Sequence, residues 1–317
     1  MAADSHRHTP WTHGATLTVA GNAEFSPNNA LRARRPDQNA HNHRGQHRYH
    51  PPPMRIATWN VNSVRARLPR VLDWLERAKP DIVALQEIKC LDDQFPWEPI
   101  QDAGYNCAVH GQKTYNGVAI LARRRIEDVV RGFDGDGEGV DGVDEGGANE
   151  ARVISATVED VCLVNAYVIN GMEVGHPRWH DKLAFLAKLK DFVSRRFDMG
   201  EKVVVLGDFN VTFDDLDVHD PDLWREKILC STPERAALRD LCSAGLADAF
   251  RKFHAEGGHY TWWDFRTRGF QRKAGLRIDH ILMSPAALSA CTAVEIDLAA
   301  RDGDKPSDHA PVVATLG

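Results

Sequence analysis

The residues that could carry chemistry are polar side chains standing where short apolar runs end. The most informative of them follow the apolar run 203–206, in the order Gly207, Asp208, Phe209 and Asn210. A β-branched apolar run closed by glycine predicts a buried strand that ends at Gly207. A carboxylate and a carboxamide two residues apart at the mouth of that strand can orient a water molecule or hold a metal-bound phosphate.

Polar residues of similar character stand beside four further apolar segments. They are Asn60, Glu87, Asp279 and the neighbours Asp308 and His309. Polar ends of separate strands converge only if two sheets pack face to face. A hard divalent cation prefers carboxylate oxygens, and a neutral imidazole whose tautomer a carboxylate fixes can act as a base or electrophile near pH 7. Together these segments predict one polar centre suited to hydrolysis.

Nine motifs follow one another in the order typical of one family. They are TWNVNSVRAR (58–67), LQEIK (85–89), NGVAIL (116–121), NAYVING (165–171), GDFNV (207–211), LDVHDP (216–221), YTWWDFRTRGF (260–270), GLRIDHIL (275–282) and KPSDHAP (305–311). On these motifs the chain resembles exodeoxyribonuclease III-type apurinic/apyrimidinic (AP) endonucleases of the endonuclease/exonuclease/phosphatase superfamily. The resemblance covers residues 54–317, about five-sixths of the chain. It implies a four-layer α/β/β/α sandwich, with two packed mixed sheets flanked by helices.

The same resemblance implies a DNA repair enzyme that acts in base excision repair. We expect it to hydrolyse the phosphodiester 5′ to abasic sites, with 3′→5′ exonuclease and 3′-phosphodiesterase or phosphatase activity on duplex DNA. The implied cofactor is Mg²⁺, with Mn²⁺ as a substitute. The implied partner is double-stranded DNA with abasic sites or 3′ ends. We expect a monomer in the cytoplasm of a bacterial-type cell, brought to the nucleoid by its substrate and without a membrane partner.

The resemblance also assigns roles to individual side chains. The catalytic set is Tyr167, Asp208, Asn210, Asp279 and His309. The metal set is Asn60, Glu87, Asp208, Asn210, Asp308 and His309. Within these sets Glu87 is the principal ligand, Asp208 acts as acid or base on the attacking water or leaving group, and Asp279 orients His309. Whether Tyr167 donates a hydrogen bond or acts as a phenolate stays open, as does the choice between one and two metals.

DNA contacts are expected from an aromatic pocket and from cations that flank the motifs. Trp262 matches a family position that lines the pocket for a flipped abasic sugar, with Leu276 beside it. The full set of expected DNA-contact residues is Asn62, Arg65, Lys89, Asn170, Trp262, Arg266 and Leu276. Because net charge gives no general basic footprint, these contacts must be local.

Two other function classes compete with a repair nuclease. A phosphatase of the same superfamily that acts on inositol or sphingolipid head groups would use the same metal site. The long motifs at 260–270 and 275–282 favour the DNA-repair branch instead. A catalytically silent DNA-binding or regulatory protein would not need the complete set of polar residues.

Composition restricts the environment and the partners. The net charge is −6, and the first 53 residues hold six arginines and three acids, a balance of +3, which leaves −9 for the remainder. The six cysteines show no CxxC spacing, which is typical of reduced cysteines in a cytosolic protein. No apolar run in the sequence approaches membrane-spanning length.

The first 53 residues differ from the rest of the chain. They hold seven of the fifteen histidines and end in three prolines. This composition predicts a disordered tail, followed by one catalytic domain over residues 54–317. Three interpretations remain open for the tail: a start assigned upstream of a true initiator at Met54, a solvated segment that contacts polyanions, or a transit peptide.

Periodicity within residues 54–317 predicts three helices and one irregular segment. Apolar residues at helical spacing indicate helices over 65–78, 180–197 and 233–244. Ser231 and Pro233 provide a cap and a first-turn proline for the last helix. Residues 134–149 hold six acids and many glycines, a composition that favours a mobile surface hairpin over a calcium loop.

Overall fold

The computed structural model describes residues 52–133 and 150–317. The predicted tail, apart from its last two residues, and the predicted hairpin at 134–149 lie outside the described residues. Twelve strands lie within the described residues: β1 Met54–Asn60, β2 Ile82–Gln86, β3 Asn106–His110, β4 Val118–Ala122, β5 Glu127–Arg131, β6 Val153–Val158, β7 Val161–Tyr167, β8 Lys202–Asp208, β9 Ala247–Asp248, β10 Asp279–Met283, β11 Cys291–Ile296 and β12 Val312–Leu316. The same part of the chain holds six α-helices: α1 Leu68–Ala78, α2 Trp97–Asp102, α3 Pro177–Arg196, α4 Pro221–Trp224, α5 Thr232–Cys242 and α6 Pro285–Ala290.

These strands form two six-stranded sheets. Sheet A has the order β11-β12-β1-β2-β4-β3, and sheet B has the order β5-β6-β7-β8-β10-β9. Both sheets are mixed, because β1 runs parallel to β2 and β7 runs parallel to β8 while the other pairs are antiparallel. Within residues 52–133 and 150–317, no helix has the length and apolar character needed to cross a bilayer.

Apolar side chains divide the domain into layers. One buried cluster lies between the sheets and includes Ile56 and Ile120 from sheet A and Leu163 and Leu206 from sheet B. Trp74 and other residues of α1 cover the outer face of sheet A in a second cluster. A third cluster joins α3 and α5 to the outer face of sheet B. The predicted four-layer α/β/β/α sandwich is confirmed.

The three predicted helices each carry a proline in the first turn, and the starts of α1 and α3 differ from those that periodicity predicts. α1 and α3 each carry proline in the first turn and begin at Leu68 and Pro177, where sequence periodicity placed the starts at 65 and 180. Proline suits the first turn because its fixed φ is helical and its missing N–H would have no partner there. α5 has the predicted proline and a capping box formed by Ser231 and Glu234.

The central strand of sheet B runs one residue beyond its predicted end. β8 continues to Asp208 because that residue still pairs with Tyr167 of β7 on one side and Asp279 of β10 on the other. Gly207 therefore lies inside the strand, with φ +150°. A Cβ atom at this position would lie 1.8 Å from the carbonyl oxygen of Ala166. Glycine is needed here for close approach of two strands rather than to end one.

We expect Gly207→Ala to destabilise the domain by about 1–3 kcal/mol or more, because β7 and β8 must separate to admit the methyl group. Gly175→Ala is the matched control, since Gly175 also has positive φ, +88°, but no atom lies within 4 Å of the position that its added methyl group would take. The control should lose only about 1 kcal/mol, the cost of a left-handed backbone. Urea denaturation of both variants measures the difference. Equal losses would show that the close approach does not limit position 207.

Candidate active site

Two buried aspartates face each other across neighbouring strands of sheet B. The antiparallel register of β8 and β10 pairs Asp208 directly with Asp279, and each is 1% exposed. Each stands at an end of an apolar strand, where the sequence changes from packing residues to polar ones. Two carboxylates this close in a low-dielectric site disfavour each other's ionisation, so a positive group is needed beside them.

His309 supplies that positive group. Its Nδ1 lies 2.8 Å from Asp279 Oδ2, and its Nε2 lies 3.8 Å from Asp208 Oδ2. Burial lowers the pKa of His309, but the charges of Asp279 and Asp208 outweigh it and raise that pKa to about 10. Burial, together with the charge of Asp279, raises the pKa of Asp208. The sequence predicted a neutral imidazole near pH 7, whereas the two carboxylates favour the protonated ring.

The segment that carries His309 is held from both sides. The Trp59 indole donates a hydrogen bond to the His309 carbonyl over 3.2 Å, and the His309 N–H donates to Ser307 Oγ over the same distance. The next residue, Ala310, donates its N–H to the Thr261 carbonyl at 2.8 Å. The imidazole is therefore fixed between β1 and the segment at 260–263.

Glu87, just beyond β2, connects sheet A to the aspartates of sheet B. Asn60 Nδ2 donates to Glu87 Oε1 at 2.8 Å and to Asp208 Oδ2 at 2.9 Å. The other carboxylate oxygen of Glu87 lies 2.7 Å from Lys89 Nζ. Burial raises the pKa of Glu87, but Lys89 and Asn60 outweigh it and hold that pKa below its usual value. Glu87 is therefore ionised, and Asn60 bridges its carboxylate to that of Asp208.

The Tyr167 hydroxyl closes this part of the site. It donates a hydrogen bond to Glu87 Oε1 at 2.9 Å. Burial and the nearby carboxylate of Glu87 raise the pKa of Tyr167 well above its ordinary value of 10. A phenolate beside two carboxylates is unfavourable, so the geometry favours the hydrogen-bond donor among the two roles that the sequence left open.

A second set of contacts joins Asp308 to the rest of the site. Asn62 Nδ2 donates to Asp308 Oδ1 at 3.0 Å, and Lys89 Nζ donates to Asn62 Oδ1 at 2.7 Å. The Trp262 indole donates to Asp308 Oδ2 at 3.1 Å. Asp308 thus lies between the expected metal residues and the aromatic residue expected to contact DNA.

Asn210 is held through its backbone and its side chain. Its N–H donates to Asp208 Oδ1 at 2.9 Å, and its Nδ2 donates to the Val168 carbonyl at 3.0 Å. Its Oδ1 accepts a hydrogen bond from Asn170 Nδ2 at 2.9 Å. The carboxamide is therefore oriented, with one N–H of Nδ2 left for another acceptor.

A buried ion pair beneath Asn210 was missed in the sequence. Lys182 of α3 donates to the carbonyls of Asn170 and Asn210 at 3.0 and 2.6 Å, and it pairs with Glu234. Both charged side chains are 0% exposed. The sequence did hold one signal for this pair, because Lys182 lies among the apolar positions of α3. Glu234 gave no separate signal, since its position in the capping box already accounts for a glutamate there. The pair fixes the two loops that carry Asn170 and Asn210.

The expected DNA-contact residues differ in exposure. Arg65 and Asn170 are exposed, and the Arg266 side chain is 88% exposed, beside Asp264. Trp262 is half-buried. Leu276 is 0% exposed and packs behind Trp262, to which it is joined by a β-bridge. In this structure the Leu276 side chain has no free surface and supports Trp262, and its contact with DNA stays a prediction.

Part of the strained backbone lies in this region. Four of the non-glycine residues with positive φ belong to the site: Asn62 at 46°, Glu87 and Lys89 at 52°, and Asn210 at 51°. A left-handed conformation costs Glu87 and Lys89 about 1–2 kcal/mol each, and asparagine adopts it at lower cost. It persists because the surrounding hydrogen bonds determine the positions of these side chains.

The donor set fits a hard divalent cation. Glu87, Asp208, Asp279 and Asp308 bring four carboxylates together, and among the described residues the cations that contact them are Lys89 and His309. The site therefore carries an excess of negative charge on oxygen atoms, which are the ligands that hard cations prefer. One ligand atom from each of Asp208, Asp279 and His309 lies within 4.8 Å of the others.

Comparison with known proteins supports the same chemistry. The model of the Endonuclease/Exonuclease/phosphatase family, a family of metal-dependent nucleases, matches residues 57–309. Exodeoxyribonuclease III of Haemophilus influenzae is 34% identical over 273 residues, which cover 82% of this chain and 99% of that protein.

Two solved structures share the fold. The 3′ phosphatase NExo from Neisseria, bound to a product DNA hairpin, is 44% identical with a TM-score of 0.77, over 83% of this chain and 99% of that chain. An AP endonuclease from Archaeoglobus fulgidus is 33% identical with the same TM-score of 0.77 and the same coverage of 83% and 99%. The chain therefore belongs to the endonuclease/exonuclease/phosphatase family and is a nuclease of the exodeoxyribonuclease III and AP endonuclease type.

Proposed function

We propose that residues 54–317 form the catalytic domain of a Mg²⁺-dependent DNA repair nuclease. It hydrolyses the phosphodiester 5′ to abasic sites and also processes 3′ ends of duplex DNA. The observation that carries this proposal is the buried Asp208, His309 and Asp279 arrangement beside ionised Glu87. The names of the relatives support both activities, since one is an AP endonuclease, one a 3′ phosphatase and one an exodeoxyribonuclease.

We assign the metal to the part of the site formed by Glu87, Asn60 and Asp308. Glu87 is the main ligand, with Asn60 and Asp308 next to it, and Mn²⁺ can replace Mg²⁺ because both accept oxygen ligands. When bound, the ion supplies positive charge to the phosphate oxygens. The excess of carboxylates over cations supports this assignment.

Asp208 and Asn210 act on the attacking side of the phosphate. Because burial raises the pKa of Asp208, its carboxylate can accept a proton from the attacking water at neutral pH. Asn210 donates one Nδ2 hydrogen to the Val168 carbonyl, which leaves the second hydrogen to orient a phosphate oxygen.

His309 and Tyr167 donate to the phosphate as negative charge develops on it. Asp279 holds the Nδ1 side of the ring at 2.8 Å, so the Nε2 hydrogen remains available for an oxygen of the substrate. The Tyr167 hydroxyl stays protonated, and its one O–H, which contacts Glu87 Oε1 in this structure, becomes a neutral donor to the phosphate when it turns away from Glu87. Fixed donors of this kind lower the barrier because they need no reorganisation during the reaction.

Recognition of DNA uses Trp262 and local cations. Trp262 lines a pocket that admits a flipped sugar without a base, and a missing base lowers the cost of extrusion. Arg65, Lys89 and Arg266 neutralise phosphates at particular positions, which suits a chain of net charge −6. We propose that the protein works as a monomer in the cytoplasm of a bacterial-type cell.

The metal assignment predicts the behaviour of Glu87→Gln. The amide keeps the shape of the side chain but removes its charge, so we expect the Mg²⁺ concentration for half-maximal activity to rise at least about tenfold. Titration of activity on an abasic duplex measures this, with Glu159→Gln, a half-exposed position in an ion pair with Arg124, as control. Wild-type metal dependence in Glu87→Gln, or full activity after chelation, would exclude the assignment.

The roles of His309 and Asp279 predict effects of different size. His309→Asn should reduce the single-turnover rate by about 10²–10⁴-fold with DNA affinity near wild type, because the ring acts on charge developed in the transition state. Asp279→Asn should reduce the rate less, since it only orients the ring. Exposed His180→Asn serves as control. If His309→Asn lost affinity while its rate stayed intact, the role given to the imidazole would be wrong.

Three duplexes test the whole proposal and the role of Trp262. One carries an abasic site, one a recessed 3′ end and one a nick with a 3′-phosphate, and we expect the wild type to process all three. Trp262→Ala, assayed on matched abasic and intact duplexes, should mainly lower the preference for abasic over intact DNA, because the wall that excludes a base is removed. Trp97→Ala in α2 controls for loss of a large aromatic residue. An equal loss of rate on all substrates would contradict a selective role for Trp262.

A further inference from the structure

A second cluster of metal-binding side chains lies just before the motif at 260–270. His254, Glu256 and His259 each offer one ligand atom, and the three atoms lie within 4.8 Å of one another. None of these residues belongs to the active site described above. Two imidazoles and one carboxylate form a donor set typical of Zn²⁺ and related divalent transition metals.

The ring of His254 is already oriented as in a metal ligand. Its Nε2 lies 2.7 Å from the Val294 carbonyl. A carbonyl can only accept, so Nε2 carries the hydrogen and the neutral ring has its lone pair on Nδ1. Metal-binding histidines commonly donate their second N–H to a backbone carbonyl, which fixes the tautomer and the ring orientation.

The backbone and both rings are held by neighbouring residues. Arg251 Nη1 donates to the His254 carbonyl at 3.1 Å and to the Glu256 carbonyl at 2.7 Å. The Phe250 ring stacks on His254 with centroids 4.2 Å apart and contacts His259 edge-on at 5.4 Å. The loop therefore holds its ligands close together without help from an ion.

One distance between two of the ligand atoms suits tetrahedral coordination. His259 Nε2 lies 3.3 Å from Glu256 Oε1, which matches the separation of about 3.3 Å expected between two ligands bound to Zn²⁺ at about 2.0–2.1 Å. As an ion pair alone this contact is weak, since the side chains are 34% and 70% exposed. His254 and His259 also line a cavity of about 610 Å³, which leaves room for a water molecule as a fourth ligand.

We propose that His254, Glu256 and His259 bind one divalent transition-metal ion of the Zn²⁺ class, because the loop brings two oriented imidazoles and a carboxylate together at the rim of a cavity. The ion braces the segment that leads into Trp262. Two residues beyond His259, Thr261 Oγ1 accepts the N–H of Asp279 at 3.1 Å. The bound ion would thus fix one end of the segment that contacts the active site.

Co²⁺ is the probe for the test, because its visible absorption reports both its ligands and its stoichiometry. The full-length protein is titrated in millimolar Mg²⁺, which occupies the oxygen-rich active site. Residues 1–53 hold seven histidines, a residue type that can bind transition metals anywhere in a chain, so the result is the difference between wild type and the double variant His254→Ala/His259→Ala. His180→Ala, which removes an exposed histidine elsewhere, is the matched control.

We expect the double variant to bind one Co²⁺ ion fewer than wild type and to lose the intense absorption of a four-coordinate site. Zn²⁺ should raise the Tm of wild type and His180→Ala but not that of the double variant, because only a folded site stabilises the native state. Equal stoichiometry and equal Tm shifts in all three proteins would overturn the proposal. If the double variant has a lower Tm without metal, Glu256→Gln decides: it must weaken Co²⁺ binding at this site about tenfold, and unchanged affinity overturns the proposal.

Discussion

The active site depends on two carboxylates that the pairing of β8 and β10 sets opposite each other. When both are ionised, the buried carboxylates of Asp208 and Asp279 repel each other. Among the described residues, sheet B places no cation between them. The positive charge comes from His309, in the segment that leads into β12 of sheet A. The two sheets must therefore pack correctly for a protonated His309 to lie beside Asp208 and Asp279. The same contact belongs to the packing of the sheets and to the chemistry of the site.

Buried amides fix how the two sheets meet. Gln86 of β2 donates to Asn165 Oδ1 of β7 at 2.7 Å, and Asn165 Nδ2 donates to the carbonyls of Leu85 and Ala119, both at 2.9 Å. Apolar packing between the sheets is strong but has no direction. A buried amide without its partners would cost about 1–3 kcal/mol, so these contacts favour one arrangement of the sheets over shifted ones. That arrangement places His309 beside Asp208 and Asp279.

Local sequence patterns predicted the elements and the residues at their ends, because these depend on neighbours in the chain. The strand at 203–206, the Ser231 cap and first-turn Pro233 of α5, and the polar positions Asn60, Glu87 and Asp279 all follow from such patterns. Two sheets packed face to face were expected from the convergence of the polar strand ends, and the family resemblance implied the full four-layer sandwich. The charge state of His309 could not be predicted, since it depends on carboxylates 30 and 101 positions away in the chain.

The other contacts that the sequence did not predict depend on residues that are far apart in the chain. Lys182 and Glu234 are separated by 52 residues, and nothing near either one indicates the other. Leu276 has an apolar side chain in a DNA-repair motif, which is compatible with a pocket wall or with a core. Only its packing with Val218 and Ile278 separates these alternatives.

The Lys182–Glu234 pair explains how a strained site remains in one conformation. Asn210 adopts a left-handed backbone, φ +51°, and its carbonyl receives the Lys182 ammonium at 2.6 Å. Relaxing Asn210 would remove an acceptor from a fully buried cation, and leaving a buried donor without its acceptor costs about 1–3 kcal/mol, or more for a charged group. That exceeds the strain at a left-handed asparagine, which is below the cost of about 1–2 kcal/mol for most other residues. The unfavourable backbone is therefore the lower-energy choice, and it keeps Asn210 beside Asp208, with its carboxamide held by the Val168 carbonyl.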